Sequence, residues 1–132
     1  PMRRRTFMSS LLGGLGLGLT ARRATAAVAA EKRVVLQESP LAGFEHHKGD
    51  HVWSWMREGS RLRLIREAAN PHDGNAVAVY FNGDKLGYLP RRENAAVAQL
   101  LDRGHAVDAT ILRLREEPNP WRRIRIRVEL VA

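Results

Sequence analysis

From Trp121 to Val131 the chain keeps a strict period of two: Ile124, Ile126, Val128 and Leu130 alternate with Arg123, Arg125, Arg127 and Glu129. Only an extended strand places every second side chain on one face, so the apolar set faces a core and the charged set faces away from it. A helix would scatter both sets around its circumference. Similar signals recur upstream. Leu62, Leu64 and Ile65 are set among Arg61, Arg63 and Arg66 after a Glu58-Gly59-Ser60 turn, and Ala76 to Phe81 is a nearly continuous apolar run of strand length, fit for a central position. Asn82-Gly83-Asp84 accepts the positive φ of a tight primed turn, which makes Lys85 to Leu89 the return strand of a hairpin, ended by Pro90. Val34 to Leu36 and Ala106 to Leu114 complete the strands, the latter followed by the breaker-rich Glu116-Glu117-Pro118-Asn119-Pro120.

One segment has helical periodicity. Pro90-Arg91-Arg92-Glu93-Asn94 opens it, Ala96, Val97, Leu100 and Leu101 form a single stripe, and Gly104 stops it. Arg91 and Arg92 are placed in its first turn, where the helix dipole disfavours cations and an anionic partner would offset that. Trp53 and Trp55 alternate, one inward and one at the surface. The expected fold is therefore mainly β with one helix: a small OB-like or Sm-like partly closed β-barrel capped by that helix.

Charge is a weaker guide than it first looks. The 132-residue chain carries a formal +8, but residues 1–30 hold five arginines and no acid, leaving 17 basic and 14 acidic groups, a net of +3, in residues 31–132. A basic footprint must then come from local clustering, and the Arg123, Arg125 and Arg127 strip is one candidate. The absence of cysteine excludes disulfides, thiolate nucleophiles and cysteine metal sites.

Residues 1–30 read as a targeting segment and residues 31–132 as the folded domain. Arg4-Arg5-Thr6-Phe7-Met8 resembles the twin-arginine export signal, the glycine-rich apolar stretch Ser10 to Thr20 is too short to span a bilayer stably, and Ala24-Thr25-Ala26 or Ala27-Val28-Ala29 offers a cleavage site near Ala26 or Ala29. The expected location is periplasmic or exported, with no membrane span left after cleavage. Because Pro1 precedes Met2, a translation start elsewhere and a cytoplasmic protein form the alternative.

Two groups of residues bear possible chemistry. The turn Asn70-Pro71-His72-Asp73-Gly74-Asn75 presents a titratable pair between two strands, although Asp73 and Asn75 also suit simple turn-capping roles. His46, His47 and His51 lie close together; His47 and His51, four apart, would share one helix face, a spacing zinc sites use. No His-Glu-x-x-His pattern accompanies them, so a solvated polar loop is the favoured reading and no cofactor is expected. A metal-dependent hydrolase using His46, His47, His51, His72 and Asp73 is the weakest functional alternative, having no complete ligand motif and no nucleophile with an evident base.

Leu41-Ala42-Gly43-Phe44, Asn70-Pro71-His72-Asp73-Gly74-Asn75-Ala76-Val77-Ala78-Val79 and Leu86-Gly87-Tyr88-Leu89-Pro90, at these separations, resemble the HIRAN domain family over about residues 33–131. The resemblance implies a modified OB barrel, a non-enzymatic module that grips single-stranded DNA at a free 3′ end. Bacterial members stand alone, and eukaryotic ones are joined to DNA-remodelling ATPases. It implies Asp73 as the residue bonded to the terminal hydroxyl, His72 and His46 as stacking rings, and Tyr88 and Arg91 as phosphate contacts. Glu45 stands where the eukaryotic DNA binders have a basic residue. With no Walker loop in this chain, an ATPase partner would be a separate protein. The export signal supports a different expectation, an exported barrel that binds a periplasmic protein or an anionic polymer.

Overall fold

The computed structural model describes residues 31–47 and 49–132. The twin-arginine-like segment and both cleavage sites therefore lie outside the described residues. Six strands, β1 (Arg33–Pro40), β2 (Arg61–Arg66), β3 (Val77–Phe81), β4 (Asp84–Tyr88), β5 (Val107–Leu114) and β6 (Ile124–Val131), are joined by two helices, α1 (Gly49–Val52) and α2 (Ala95–Asp102). Short 3-10 turns form at Phe44–His46, Trp53–Trp55, Arg91–Glu93 and Pro120–Arg122. Among the described residues no helix is long and apolar enough to cross a membrane.

The strands form one antiparallel sheet in the order β1-β6-β5-β2-β3-β4. β2 is the corner: Arg61 and Leu62 pair with Thr110 and Ala109 of β5, whereas Arg63 to Arg66 pair with Tyr80 to Val77 of β3. Register shifts in the β1–β6, β3–β4 and β5–β6 pairs bend the sheet further, because an unmatched residue increases local twist. The curl brings the chain just after β1 against the far edge strand. Ala42 and Tyr88 exchange both backbone bonds, at 2.8 and 2.9 Å, and partly close the barrel.

The glycines of the sequence motifs make that closure possible. Gly43 turns the chain with φ 73°, and a Cβ on Gly87 would lie 2.4 Å from the Ala42 carbonyl oxygen. Inside the barrel, Leu41, Phe44, Met56, Val77, Val79, Leu86, Leu89, Ile111, Ile126 and Val128 are buried. The β6 alternation holds: Ile124, Ile126 and Val128 are buried and the intervening arginines are partly exposed. Asn82 and Gly83 adopt φ 48° and 91°, the primed turn expected between β3 and β4.

Three local expectations need correction. In β2, Leu62 and Leu64 point inward, but Ile65 is exposed and Arg66 takes the third inward position, because strict alternation places residue 66, not 65, beside Leu64. Arg91 and Arg92 belong to a 3-10 turn ahead of α2, not to its first turn; the helix begins only at Ala95. On α2 the buried residues are Val97 and Ala98, with Leu100 and Leu101 packed at the margin and Ala96 exposed. Trp53 and Trp55 divide as expected, but on a 3-10 turn: Trp53 meets the Phe44 ring edge-on at 6.1 Å, and Trp55 is exposed.

Candidate nucleic-acid interface

The signature loop leaves β2 and returns as β3, and its own backbone defines its shape. Glu67 N–H donates to the Ala76 carbonyl at 3.0 Å, Ala76 N–H to the Asp73 carbonyl at 3.1 Å, and Asn70 N–H to the Glu67 carbonyl at 3.0 Å. The asparagine and aspartate side chains act as turn formers: Asn70 Oδ1 accepts from His72 N–H at 2.8 Å and Asp73 Oδ1 from Asn75 N–H at 2.9 Å. Arg66 then fixes the loop from below. Its guanidinium donates to the Gly74 and Ala76 carbonyls and to both oxygens of Asp102 at the end of α2.

Asp73 is more than a turn former. Its second oxygen accepts a 2.7 Å bond from Nδ2 of Asn94, a buried residue just before α2, and Arg91 Nε lies 4.0 Å away. Foremost the Asn75 N–H, then Asn94, Arg91 and Arg66, hold the Asp73 carboxyl below the usual aspartate range. It is ionised at neutral pH, held at both oxygens, and 21% exposed. Arg91 donates to the His72 carbonyl, which ties the turn ahead of α2 to the loop. The His72 side chain is itself exposed.

Tyr88 anchors a second cluster beside the barrel closure. Its hydroxyl donates to Glu67 Oε1 at 2.8 Å and accepts from Lys85 Nζ at 3.0 Å, while Lys85 also reaches Glu67 Oε2 at 2.7 Å. Asn70 Nδ2 completes the set by donating to Glu67 Oε1 at 3.1 Å. Burial raises the Glu67 pKa, but the bonds from Lys85, Tyr88 and Asn70 together outweigh it and hold the carboxyl below its ordinary value. The bonds that Lys85 itself makes, to Glu67 above all and then to Tyr88, push its pKa upward. The Tyr88 O–H is committed to Glu67, and Lys85 Nζ lies 4.9 Å from the centre of its ring. His47 packs edge-on against that ring at 5.7 Å.

The structure thus links His72, Asp73 and Arg91 directly, and reaches Tyr88 through Glu67 and Asn70. His46 lies in the Phe44–His46 turn, and its side chain lies outside the described residues. His47 precedes α1 whereas His51 lies within it, so the shared helix face expected of them does not form. Among the described residues no three His, Asp or Glu groups are placed to hold a metal. Arg66, Glu67, Lys85 and Asn94 are the residues bonded to these groups that the sequence alone did not single out. The signal for Asn94 was its place just before a helix, and for Glu67 its place at the end of a strand.

The model of the HIRAN domain matches residues 34–132. The chain belongs to the HIRAN domain family. A crystal structure of a protein from Lactobacillus plantarum superposes with a TM-score of 0.67 at 23% identity, covering 77% of this chain and 98% of that one. The crystal structure of the HIRAN domain of human HLTF superposes with a TM-score of 0.60 at 18% identity, covering 76% and 79%. At these identities the likeness is one of fold: both share the curled antiparallel architecture with this HIRAN domain. None of the curated proteins matches the chain.

Proposed function

We propose that this HIRAN domain is a binding module for single-stranded DNA that takes a free 3′ hydroxyl on Asp73. Family membership supports the general reading of a nucleic-acid-binding module without catalysis of its own. The observation that carries the finer one is the Asp73 carboxylate: ionised, fixed by Asn75 and Asn94, and still 21% exposed. An ionised carboxylate only accepts hydrogen bonds. A terminal hydroxyl can donate to it, whereas a terminal phosphate has no proton to offer at neutral pH and is repelled. Beside it, exposed His72 supplies a flat ring for the last base, and Arg91, 68% exposed, supplies a cation for the adjoining phosphate.

Two labelled oligonucleotides that differ only in a 3′ hydroxyl or a 3′ phosphate test this directly. The hydroxyl form binds more tightly, and Asp73→Ala removes the difference while the far-side fold, followed by circular dichroism, is unchanged. Equal affinity of the native protein for both forms would refute the end-reading role. Binding weakens with salt in either case, because each phosphate contact releases a counterion.

A further inference from the structure

A cleft of about 250 Å³ opens at the tip of the β5–β6 hairpin, lined by Arg113, Arg115, Arg122, Arg125 and Trp121, with Glu117 as its one acid. Elsewhere several arginines are matched by acids within the fold: Arg33 and Arg61 hold Asp108, Arg66 holds Asp102, Arg123 holds Asp50 and Arg127 holds Glu38, while the exposed side chains of Arg63, Arg92 and Arg103 make no hydrogen bond or ion pair among the described residues. The outer strip of β6 is therefore largely neutralised at Arg123 and Arg127. The cleft differs in gathering such cations around one opening. Among the described residues the side chains of Arg113, Arg115 and Arg122 make no hydrogen bond or ion pair and are exposed, and Arg125 donates only to the Glu38 carbonyl.

Trp121 lies amid these cations with 49% of its surface exposed. Its backbone is fixed: Asn119 Oδ1 accepts from Trp121 N–H at 3.0 Å, Arg122 N–H returns to the Asn119 carbonyl at 3.0 Å, and Arg123 Nε holds the Glu117 carbonyl at 2.7 Å. An indole held outward on a fixed turn contributes nothing to the core. The cleft also borders the barrel closure, since Pro40 pairs with Arg125 and Ala42, two residues on, pairs with Tyr88.

We propose that this cleft is a second contact surface for single-stranded nucleic acid, its arginines holding internal phosphates and Trp121 stacking on a base. Unmatched cations beside an exposed aromatic ring on a fixed turn suit a strand that offers anion and π-face at each step. The inference rests on the reading that the ligand is nucleic acid, but not on the reading of its 3′ end.

A linear oligonucleotide and the same sequence closed into a circle, which has no end, separate the two ideas. Trp121→Ala weakens binding of both by about five-fold or more, and Trp121→Phe retains most of it. Changing Arg113, Arg115 and Arg122 together to Gln reduces the slope of log affinity against log salt by about 2, at about 0.7 per single-strand phosphate. All four positions are surface-exposed, and circular dichroism confirms that each variant is folded. Unaltered affinity and salt slope in the variants overturn the proposal, as does heparin binding that matches the circle while Trp121→Ala has no effect on either. If the native protein ignores the 3′ terminus but the Trp121 and arginine effects persist, the end-reading role falls and the cleft stands.

Discussion

Replacing Gly87 with Ala isolates the energetics of the barrel closure. The added Cβ would stand 2.4 Å from the Ala42 carbonyl oxygen and 3.4 Å from Phe44 N, so the two chains must part. Parting them disrupts the paired bonds of 2.8 and 2.9 Å between Ala42 and Tyr88. Each such bond contributes about 1 kcal/mol net. Displacing packed backbone around an extra methyl group costs about 1–3 kcal/mol more. The expected loss is about 3–5 kcal/mol in total, a large part of the stability of a domain this size. Urea unfolding followed by tryptophan fluorescence measures it, and the melting temperature falls by about 12 °C or more. Gly74→Ala is the internal control: nothing lies within 4 Å of its added Cβ, and stability changes by no more than about 1 kcal/mol. If Gly87→Ala behaves like Gly74→Ala, the closure does not depend on that close approach and the reasoning is wrong.

The loop and the carboxylates give further expectations. Arg66→Met removes the bonds to Gly74, Ala76 and Asp102 from a side chain only 15% exposed, and lowers stability by about 2 kcal/mol. Hydrogen exchange at Asn75 and Ala76 speeds up with it; unchanged exchange there would show that Arg66 does not fix the loop. Glu67 and Asp73 both titrate below their ordinary values of 4.5 and 3.8, so each favours folding above those values and loses its contribution as pH falls through its depressed folded-state pKa. Stability measured against pH therefore declines below about pH 4.5, where the ordinary Glu value lies, and the decline is shallower in Asp73→Asn, which has no carboxylate to protonate. Identical acid limbs in the two proteins contradict this assignment.

Strands were legible where one face meets the core and the other meets water. β6 shows its period without ambiguity, and the Asn82-Gly83 turn marks where β3 folds back on β4, pairing Phe81 with Asp84 and Tyr80 with Lys85 beside it. In β2 two adjacent apolar residues, Leu64 and Ile65, gave two possible inward faces, and an arginine took the position expected of an isoleucine because its guanidinium found four acceptors. Hydrophobicity carries no trace of such long-range partners. The same limit applies to Asn94 and Lys85, whose roles depend on Asp73 and Glu67, 21 and 18 residues away. Asp73 itself was identified through its motif, and the Asn75 N–H that does most to lower its pKa belongs to the same turn, whereas the contributions of Asn94 and Arg91 come from the segment ahead of α2.

The position of β1 has a consequence for the order of assembly. Arg33 pairs with Val131 and Pro40 with Arg125, so the first strand of the domain depends on the last. Ala42, which extends it, supplies the bridge to Tyr88. The β3–β4 and β5–β6 hairpins join neighbours in sequence and are available early; β1 has no strand partner until β6 has been synthesised. Loops closed between such distant residues form slowly. On an emerging chain Val34 and Val35 wait unpaired, and the arginine cleft, lined by Pro40 of β1 and Arg125 of β6, exists only once both ends of the domain have been made.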